Sequence, residues 1–412
     1  MNVRDNGDAH SRRTLAKRLA LAALAALWVA AAALLWRTKV PDLDLPSLDP
    51  RDYFSAAELA RSDDYRRVSR PLYLAAVGVE ILVLALFVWK ARPLAARLRP
   101  LGRGRVRTSV LVGLAVTLGV WLSQLPFGAV RLVRRHDFGL STQGWGGWLI
   151  DQLTALAVQA VLTSIAVAGA VWLAGRLGRR WWIAGAPALV GIAVLYVLAQ
   201  PLVLQPLFNR FEPLPDRRLA AQIEELATKM GVNVDDVLVA DASRRTTTAN
   251  AYIAGIGPTR RVVLYDTLLD GRFTDGEIRY VAAHELGHVE RRHLWKGLAW
   301  FTLLAVPGVF GLAWITNRRG GLGPELVPLG IAFVFACVLV TQPFVNAVSR
   351  RYEAEADWLA LQATHDPASG VALEQTFVTT SLSDPDPPGW TIFLYGSHPT
   401  PMQRIAMAES GR

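Results

Sequence analysis

Seven long apolar stretches constrain the fold of this chain more than any other feature. They cover residues 19–36, 71–89, 109–128, 149–173, 181–204, 294–316 and 325–347. A helix needs about 20 apolar residues to cross a bilayer. Seven such stretches in a chain of 412 residues argue against buried helices of a soluble core. The sequence therefore predicts a mainly α-helical, polytopic membrane protein with seven transmembrane helices.

The first stretch resembles a signal peptide, because four basic residues lie between positions 12 and 18. It is longer than a signal-peptide core, and it ends in Leu34-Leu35-Trp36 without a clear small-residue cleavage site. We therefore expect an uncleaved transmembrane helix, preceded by an N-terminal tail of residues 1–18. Residues 19–204 would hold the first five helices with their loops, and residues 294–347 would hold the last two.

The net charge of +10 points either to nucleic acid or to membrane topology. Lys and Arg cluster between the apolar stretches, at 90–107, 176–180 and 318–319, and none of these clusters has interleaved aromatic residues for stacking bases. We expect no nucleic-acid partner. The more basic loops should be cytoplasmic. The polar regions 205–293 and 348–412 emerge on the opposite side and should therefore face the outside. The single cysteine, Cys337, rules out an intramolecular disulfide.

Two polar regions, 205–293 and 348–412, are separated by two spans, so they emerge on one side of the membrane and can form one domain. In the first region, Asp216 can cap a helix that runs to about Met230. Short strands are expected at 237–240, 251–256 and 261–265. Thr274 and Glu277 have the spacing of a capping box that opens a further helix.

This last helix contains His284-Glu285-Leu286-Gly287-His288. Histidines at i and i+4 project from one helical face and can bind one Zn²⁺ ion. Zinc acidifies a bound water, and the intervening Glu can take the proton of that water as it attacks a peptide carbonyl. Chance alone would produce such a motif in this composition roughly 0.004 times. The alternative is a solvated polar patch on an ordinary helix.

A catalytic zinc needs a third protein ligand. Arg291 and Leu294 stand where a metzincin would have Gly and His, so that class is excluded, and His293 should lie on a different helical face. In the second polar region, Glu353 and Asp357 share a face at i, i+4 if the segment is helical, while Glu355 points away. Glu353 can be the ligand and Asp357 can accept a hydrogen bond from a ligand histidine. The alternative is a charged helix start just outside the membrane.

The chain resembles the Ste-type, or type I, CAAX prenyl proteases, with the HtpX-type membrane proteases as bacterial relatives. The resemblance rests on motifs in chain order: Leu125-Pro126-Phe127, residues 135–139, the segment from Gln205 to Leu214, Asn250-Ala251-Tyr252, residues 261–269, the zinc motif, residues 349–357 and Ser397-His398-Pro399.

The resemblance implies a zinc metalloendopeptidase with a small, gluzincin-like α+β domain and one Zn²⁺ per chain. It implies His284, His288 and Glu353 as ligands, and Glu285 as general base. It further implies that His398 stabilises the developing oxyanion and that Arg404 supports that segment and belongs with the substrate-contacting residues. An edge strand at Asn250, Ala251 and Tyr252 would contact the substrate backbone.

The expected substrate is a peptide or protein, membrane-associated and lipidated substrates included, and membrane lipid is the surrounding partner. The high Ala and Arg content suggests a bacterium, hence a multi-pass protein of the plasma membrane. Family members face the cytosol, which conflicts with the charge count above. The alternatives are a seven-span transporter or receptor, motivated by Glu80 and Asp151 within apolar stretches, and an inactive scaffold of the same fold.

Overall fold

The computed structural model describes the backbone of residues 4–411 and, in that range, every side chain except those of residues 4–13, 17, 20, 21, 202 and 258. Helices dominate. In chain order they are α1 Arg4–Trp36, α2 Ala56–Trp89, α3 Ala91–Gly102, α4 Arg105–Asp137, α5 Trp145–Leu177, α6 Trp182–Ala199, α7 Gln205–Phe208, α8 Arg217–Lys229, α9 Asp275–Glu290, α10 His293–Asn317, α11 Val327–Thr364, α12 Pro367–Ser381, α13 Gly389–Tyr395 and α14 Pro401–Glu409.

Among the described residues, six helices are long and apolar enough to cross a membrane, and they match the second to seventh predicted spans. The first predicted span corresponds to the shorter apolar part of α1, Ala22–Trp36. The 18-residue apolar windows of the six helices are only 6% to 22% buried within the protein. Most of each window therefore faces away from the protein interior, and the prediction of a polytopic helical membrane protein is confirmed.

Helical structure extends beyond the predicted membrane spans in three places. Helix α1 continues back to Arg4, through most of the predicted tail, of which residues 1–3 lie outside the described residues. The basic segment 90–107, expected to be a loop, contains helix α3, whose Ala95 is fully buried. Helix α11 does not stop at residue 347 but continues to Thr364, because no helix-breaking residue follows Pro343. The seventh span and the second polar region therefore share one helix.

A four-stranded sheet lies in the first polar region, with strands β1 Phe211–Pro213, β2 Asp236–Ala240, β3 Ala251–Ala254 and β4 Arg261–Tyr265 in the order β1-β2-β4-β3. Strand β1, which the sequence did not predict, pairs antiparallel with β2. Strands β2 and β4 are parallel, and β3 pairs antiparallel with β4 only. Strand β3 is therefore an edge of the sheet.

The main hydrophobic core lies between the sheet and helices α8, α9, α11 and α12, and it includes the fully buried Ile223, Leu264 and Leu286. Helix α8 begins at its predicted cap, where Asp216 accepts hydrogen bonds from the Arg218 and Leu219 amides. The core thus holds α9, the helix with the histidine motif, against α11.

One charged residue that had suggested a transporter has a structural partner. The Asp151 carboxylate near the start of α5 lies 3.0 Å from Nε of Arg245, in the loop between β2 and β3. This ion pair attaches a membrane helix to the polar domain, so Asp151 is not a lone intramembrane charge. Glu80 lies half-buried in α2.

Candidate active site

Helix α9 presents the two motif histidines. The helix starts at a capping box, in which the Thr274 side chain and the Glu277 side chain each bond the other residue's backbone amide. His284 and His288 follow one turn apart, with their ring centroids separated by 4.8 Å. Their Nε2 atoms are 3.0 Å apart and therefore point to a common place.

Helix α11 brings Glu353 to the same place. Its Oε2 lies 3.2 Å from His284 Nε2, and its Oε1 lies 3.6 Å from His288 Nε2. Among the described residues, these three form a group that could hold a metal ion, because one ligand atom from each lies within 4.8 Å of the other two. The donors that sequence reasoning combined across two polar regions are therefore neighbours in the fold.

The donor set fits a small tetrahedral cation. Zn–N and Zn–O bonds of 2.0–2.2 Å in a tetrahedron imply ligand separations of roughly 3.3 Å, and the three separations of 3.0, 3.2 and 3.6 Å bracket this value. The electrostatics agree. Burial opposes a charge on His284, yet the carboxylates of Asp357 and Glu353 raise its pKa to about 10. The position thus favours a positive charge.

A charged network supports His284 from behind. Asp357 Oδ1 lies 2.8 Å from His284 Nδ1, and Arg404 binds both oxygens of Asp357, at 2.6 and 2.8 Å. Arg404 also lies 2.8 Å from a carboxylate oxygen of Glu374. Arg404, expected beside the substrate, is thus engaged by two carboxylates. Burial raises the pKa of Glu374 to about 7, although Arg404 opposes this shift. Sequence reasoning did not identify Glu374.

The expectation of a structural or polar-surface His293 on a different helical face holds only in part, because the residue begins a new helix and its ring contacts His288. Helix α9 ends at Glu290, and Arg292 adopts left-handed backbone angles, so the chain turns before α10 starts at His293. This turn places His293 Nδ1 2.8 Å from His288 Nδ1. Glu355 points away from the donor cluster, as expected, and lies 2.9 Å from His293 Nε2. The two adjacent arginines after α9 were the signal for a helix end.

Glu285 is half-buried on α9, between the two histidines. Burial raises the pKa of its carboxyl group above the ordinary value, and the neighbouring histidines counteract part of this shift. A carboxylate with a raised pKa is a better proton acceptor at neutral pH than an ordinary surface glutamate. Glu285 has the chemistry that a general base requires.

His398 lies between α13 and α14, and its side chain is 59% exposed. Its Nε2 is 3.4 Å from Glu353 Oε2, so the imidazole borders the donor cluster from the open side. Its Nδ1 is 2.9 Å from the Ser397 hydroxyl. Arg350 of α11 donates to the Gly396 carbonyl at 2.5 Å and ties this loop to the helix that bears Glu353.

Edge strand β3 contains the remaining predicted residues. The Tyr265 amide donates to the Asn250 carbonyl at 2.9 Å, which makes this a hydrogen-bonded pair of the antiparallel ladder. Because such pairs alternate, Tyr252 bonds toward β4, whereas Ala251 and Ile253 direct their backbone groups toward the free edge. The Ala251 amide is capped by the Asn250 side-chain oxygen at 2.9 Å.

Comparison with known proteins agrees with the site and the membrane helices. Residues 213–411 match the family described as Peptidase family M48, and residues 37–210 match CAAX prenyl protease N-terminal, five membrane helices. The chain belongs to peptidase family M48. As an M48 member it is a multi-pass membrane metallopeptidase that hydrolyses peptide bonds in peptides or proteins, and this membership disfavours the transporter, receptor and inactive-scaffold alternatives.

Similar M48 proteins come from bacteria and eukaryotes. The chain is 29% identical to "Uncharacterized metalloprotease YhfN" of Bacillus subtilis, across 88% of each chain. It is 30% identical to a "CAAX prenyl protease 1 homolog" of Oryza sativa, across 73% of this chain and 74% of that protein. The crystal structure of S. mikatae Ste24p matches with a TM-score of 0.75 at 22% identity, covering 93% and 96% of the two chains. The last comparison shows a shared fold.

Proposed function

We propose that this M48 member is a zinc-dependent endopeptidase of the membrane, with its reaction centre between α9, α11 and the loop before α14. The observation that carries the proposal is the meeting of His284 Nε2, His288 Nε2 and the two carboxylate oxygens of Glu353, with Nε2–Nε2 and Nε2–O separations of 3.0–3.6 Å. These three side chains would hold one Zn²⁺ and leave a fourth position open to solvent or substrate. When bound, the zinc would lower the pKa of a coordinated water to about 7 and polarise the scissile carbonyl.

The side chains around the donors divide the remaining work. Glu285 accepts the proton of the attacking water and passes it to the departing amine. His398 donates a hydrogen bond to the oxyanion that develops on the carbonyl oxygen, a role that suits an exposed imidazole at the border of the donor cluster. Asp357 accepts the Nδ1 proton of His284, which fixes the tautomer whose Nε2 can bind metal, and Arg404 holds Asp357 in place.

The substrate would pair with the free edge of β3 as an added strand. Ala251 and Ile253 offer outward backbone groups to an extended peptide, and Asn250 would release the Ala251 amide when the peptide binds. Tyr252 would contact substrate through its side chain, because its backbone groups are used by β4. This mode recognises peptide backbone and accepts many sequences, so the selection of substrates must come from elsewhere.

Membrane-associated or lipidated proteins are the substrates we propose. The catalytic helix α11 is a direct continuation of a membrane span, so the site lies near a surface where such substrates are concentrated, with membrane lipid around the spans. Relatives named CAAX prenyl protease support a lipidated substrate, and the Bacillus subtilis relative supports a bacterial plasma membrane. Cleavage of a farnesylated peptide should be compared with cleavage of the same peptide without lipid.

The deciding experiment separates metal binding from proton transfer. Purified protein should contain one zinc per chain, and Glu285→Gln should retain the zinc while losing at least about a hundredfold in peptide cleavage, the usual range for a general base. Glu290→Gln is the matched control, since it makes the same change five residues further along α9, where Glu290 pairs with the exposed Lys39 side chain. Wild-type protein without zinc, or undiminished cleavage by Glu285→Gln, would refute the proposed function.

A further inference from the structure

The two histidines of the motif are supported differently. His284 bonds a carboxylate directly, through Asp357. His288 bonds another imidazole, His293, and only that second ring meets a carboxylate, Glu355. A ligand histidine usually donates its remaining ring proton to a carboxylate, a carbonyl or water. At His288, an additional residue, His293, therefore lies between the ligand histidine and the carboxylate.

We propose that His293 and Glu355 are positioning residues that orient His288 for metal binding. This proposal rests on the proposed zinc site and adds two residues that touch neither the metal position nor the substrate edge. Its basis is the continuous chain from His288 Nδ1 to His293 Nδ1 at 2.8 Å and from His293 Nε2 to Glu355 Oε2 at 2.9 Å.

Hydrogen-bond chemistry allows only one assignment of protons along this chain. If His288 binds metal through Nε2, its neutral ring carries the proton on Nδ1 and must donate it. His293 Nδ1 must then accept, so the proton of that ring is on Nε2 and is donated to the Glu355 carboxylate. Glu355 thus selects the tautomer of His293, and His293 selects the tautomer of His288.

The Glu355 carboxylate is fixed as firmly as such a role requires. Its side chain is 0% exposed, and a buried carboxylate of this kind needs several donors. Besides His293, Oε1 accepts from Arg291 Nε and from the Lys39 backbone amide, both at 2.7 Å, and Lys296 Nζ lies 3.4 Å from Oε2. The donors come from α10, the turn before it and the segment after α1, so several elements hold one carboxylate.

Packing holds the His293 ring in the same orientation. The ring stacks on Tyr352 with 4.5 Å between centroids and an interplanar angle of 6°. Tyr352 is itself anchored, because its hydroxyl donates to the Leu35 carbonyl and accepts from Trp300. Rotation of His293 would break both ring hydrogen bonds and this stacking at once. The ring is therefore held for a single hydrogen-bonding geometry.

Two substitutions of His293 test the proposal on the full-length protein in detergent, with zinc affinity measured by chelator competition. His293→Asn keeps an acceptor atom near the position of Nδ1, whereas His293→Phe keeps the stacking ring and removes the acceptor. We expect His293→Phe to weaken zinc binding about 10- to 100-fold, the usual cost of losing such a partner. His293→Asn should lose less than about tenfold. Glu355→Gln should weaken binding by about tenfold, because an amide cannot accept from all four donors.

The control is Glu290→Gln, which removes a carboxylate near the end of the same helix α9, bonds neither His293 nor Glu355, and should bind zinc like the wild type. Unfolding temperatures in EDTA show which variants are folded, and Glu355→Gln carries the test if His293→Phe is not. Equal zinc affinity in wild type, His293→Phe and Glu355→Gln would overturn the proposal. Equal losses in His293→Phe and His293→Asn would also overturn it, because the acceptor atom would then be irrelevant. Wild-type protein that binds no zinc would instead refute the proposed function.

Discussion

The membrane helices and the polar domain of this protein are built on opposite packing principles. The apolar windows of the six candidate spans are only 6% to 22% buried within the protein. In the polar domain, nine residues of the sixteen-residue helix α9 are buried. A membrane helix satisfies its backbone hydrogen bonds internally and is solvated by lipid, so it needs few protein contacts. The polar domain has to exclude water from its core and from several charged side chains.

This difference in packing shows which region can keep catalytic side chains in fixed positions. Ligand atoms must keep their positions within a fraction of an ångström, and only the packed region supplies the contacts to do so. Helix α11 joins both regions, with its first half in the membrane and Glu353 in the packed half. The helix of the seventh span thus continues into the site with Glu353, and the packing of the polar domain orients this side chain.

We expect the largest difference in stability loss between the two regions when a charged side chain is removed. Arg404→Leu would leave the buried carboxylates of Asp357 and Glu374 without their cation, and breaking such a buried pair costs about 3–5 kcal/mol. The contrasting change is Arg99→Leu in α3, between the second and third spans, which removes an ion pair to Glu325 with 67% and 36% exposed side chains and should cost less than about 1 kcal/mol. Thermal unfolding in detergent measures both. Similar losses would contradict the distinction between the regions.

Removal of apolar side chains should give the next largest contrast. Ile223→Ala in helix α8 would leave a cavity in a core where Ile223 is 0% exposed, at a cost of about 2–5 kcal/mol in the free energy of unfolding. Leu82→Ala in helix α2 removes a side chain that is 69% exposed and should change stability by less than about 0.5 kcal/mol. If Leu82→Ala proves as damaging as Ile223→Ala, the span has protein contacts that its exposure hides.

The smallest expected effect comes from a change in backbone hydrogen bonding. The membrane helices satisfy their backbone groups within each helix, whereas edge strand β3 leaves some of them without a strand partner. Ile253→Pro removes an outward N–H group without a ladder bond, so the ladder stays intact and folding loses only the packing of the Ile253 side chain against the main core. If substrate pairs with this edge, the loss of one hydrogen bond should lower kcat/KM about 5- to 10-fold, mainly through KM. Tyr252→Pro removes a ladder bond instead and should lower the unfolding temperature. Unchanged peptide cleavage by Ile253→Pro would show that substrate binds elsewhere.

Local sequence signals predicted most of the polar domain and the membrane helices. The caps at Asp216 and Thr274 start their helices as expected, because capping depends on residues within one turn. Strand β4 coincides with the prediction at Arg261–Tyr265. Strand β1 escaped prediction because it has three residues, one of them Pro213, and exists through its pairing with β2. The sequence left open whether the helix of the seventh span continues past residue 347, because a loss of hydropathy is no signal that a helix ends.

Helical spacing places residues i and i+4 on one face, so the amino-acid sequence alone is enough to pair His284 with His288 and Glu353 with Asp357. Which helical faces meet, and which residues bond the ligand histidines, depends on the folded chain. The contact of His284 with Asp357 joins residues 73 positions apart, and that of His293 with Glu355 joins residues 62 positions apart. The packing of α9 on α11 brings Asp357 to His284, whereas the left-handed Arg292 redirects the chain so that His293 reaches both His288 and Glu355.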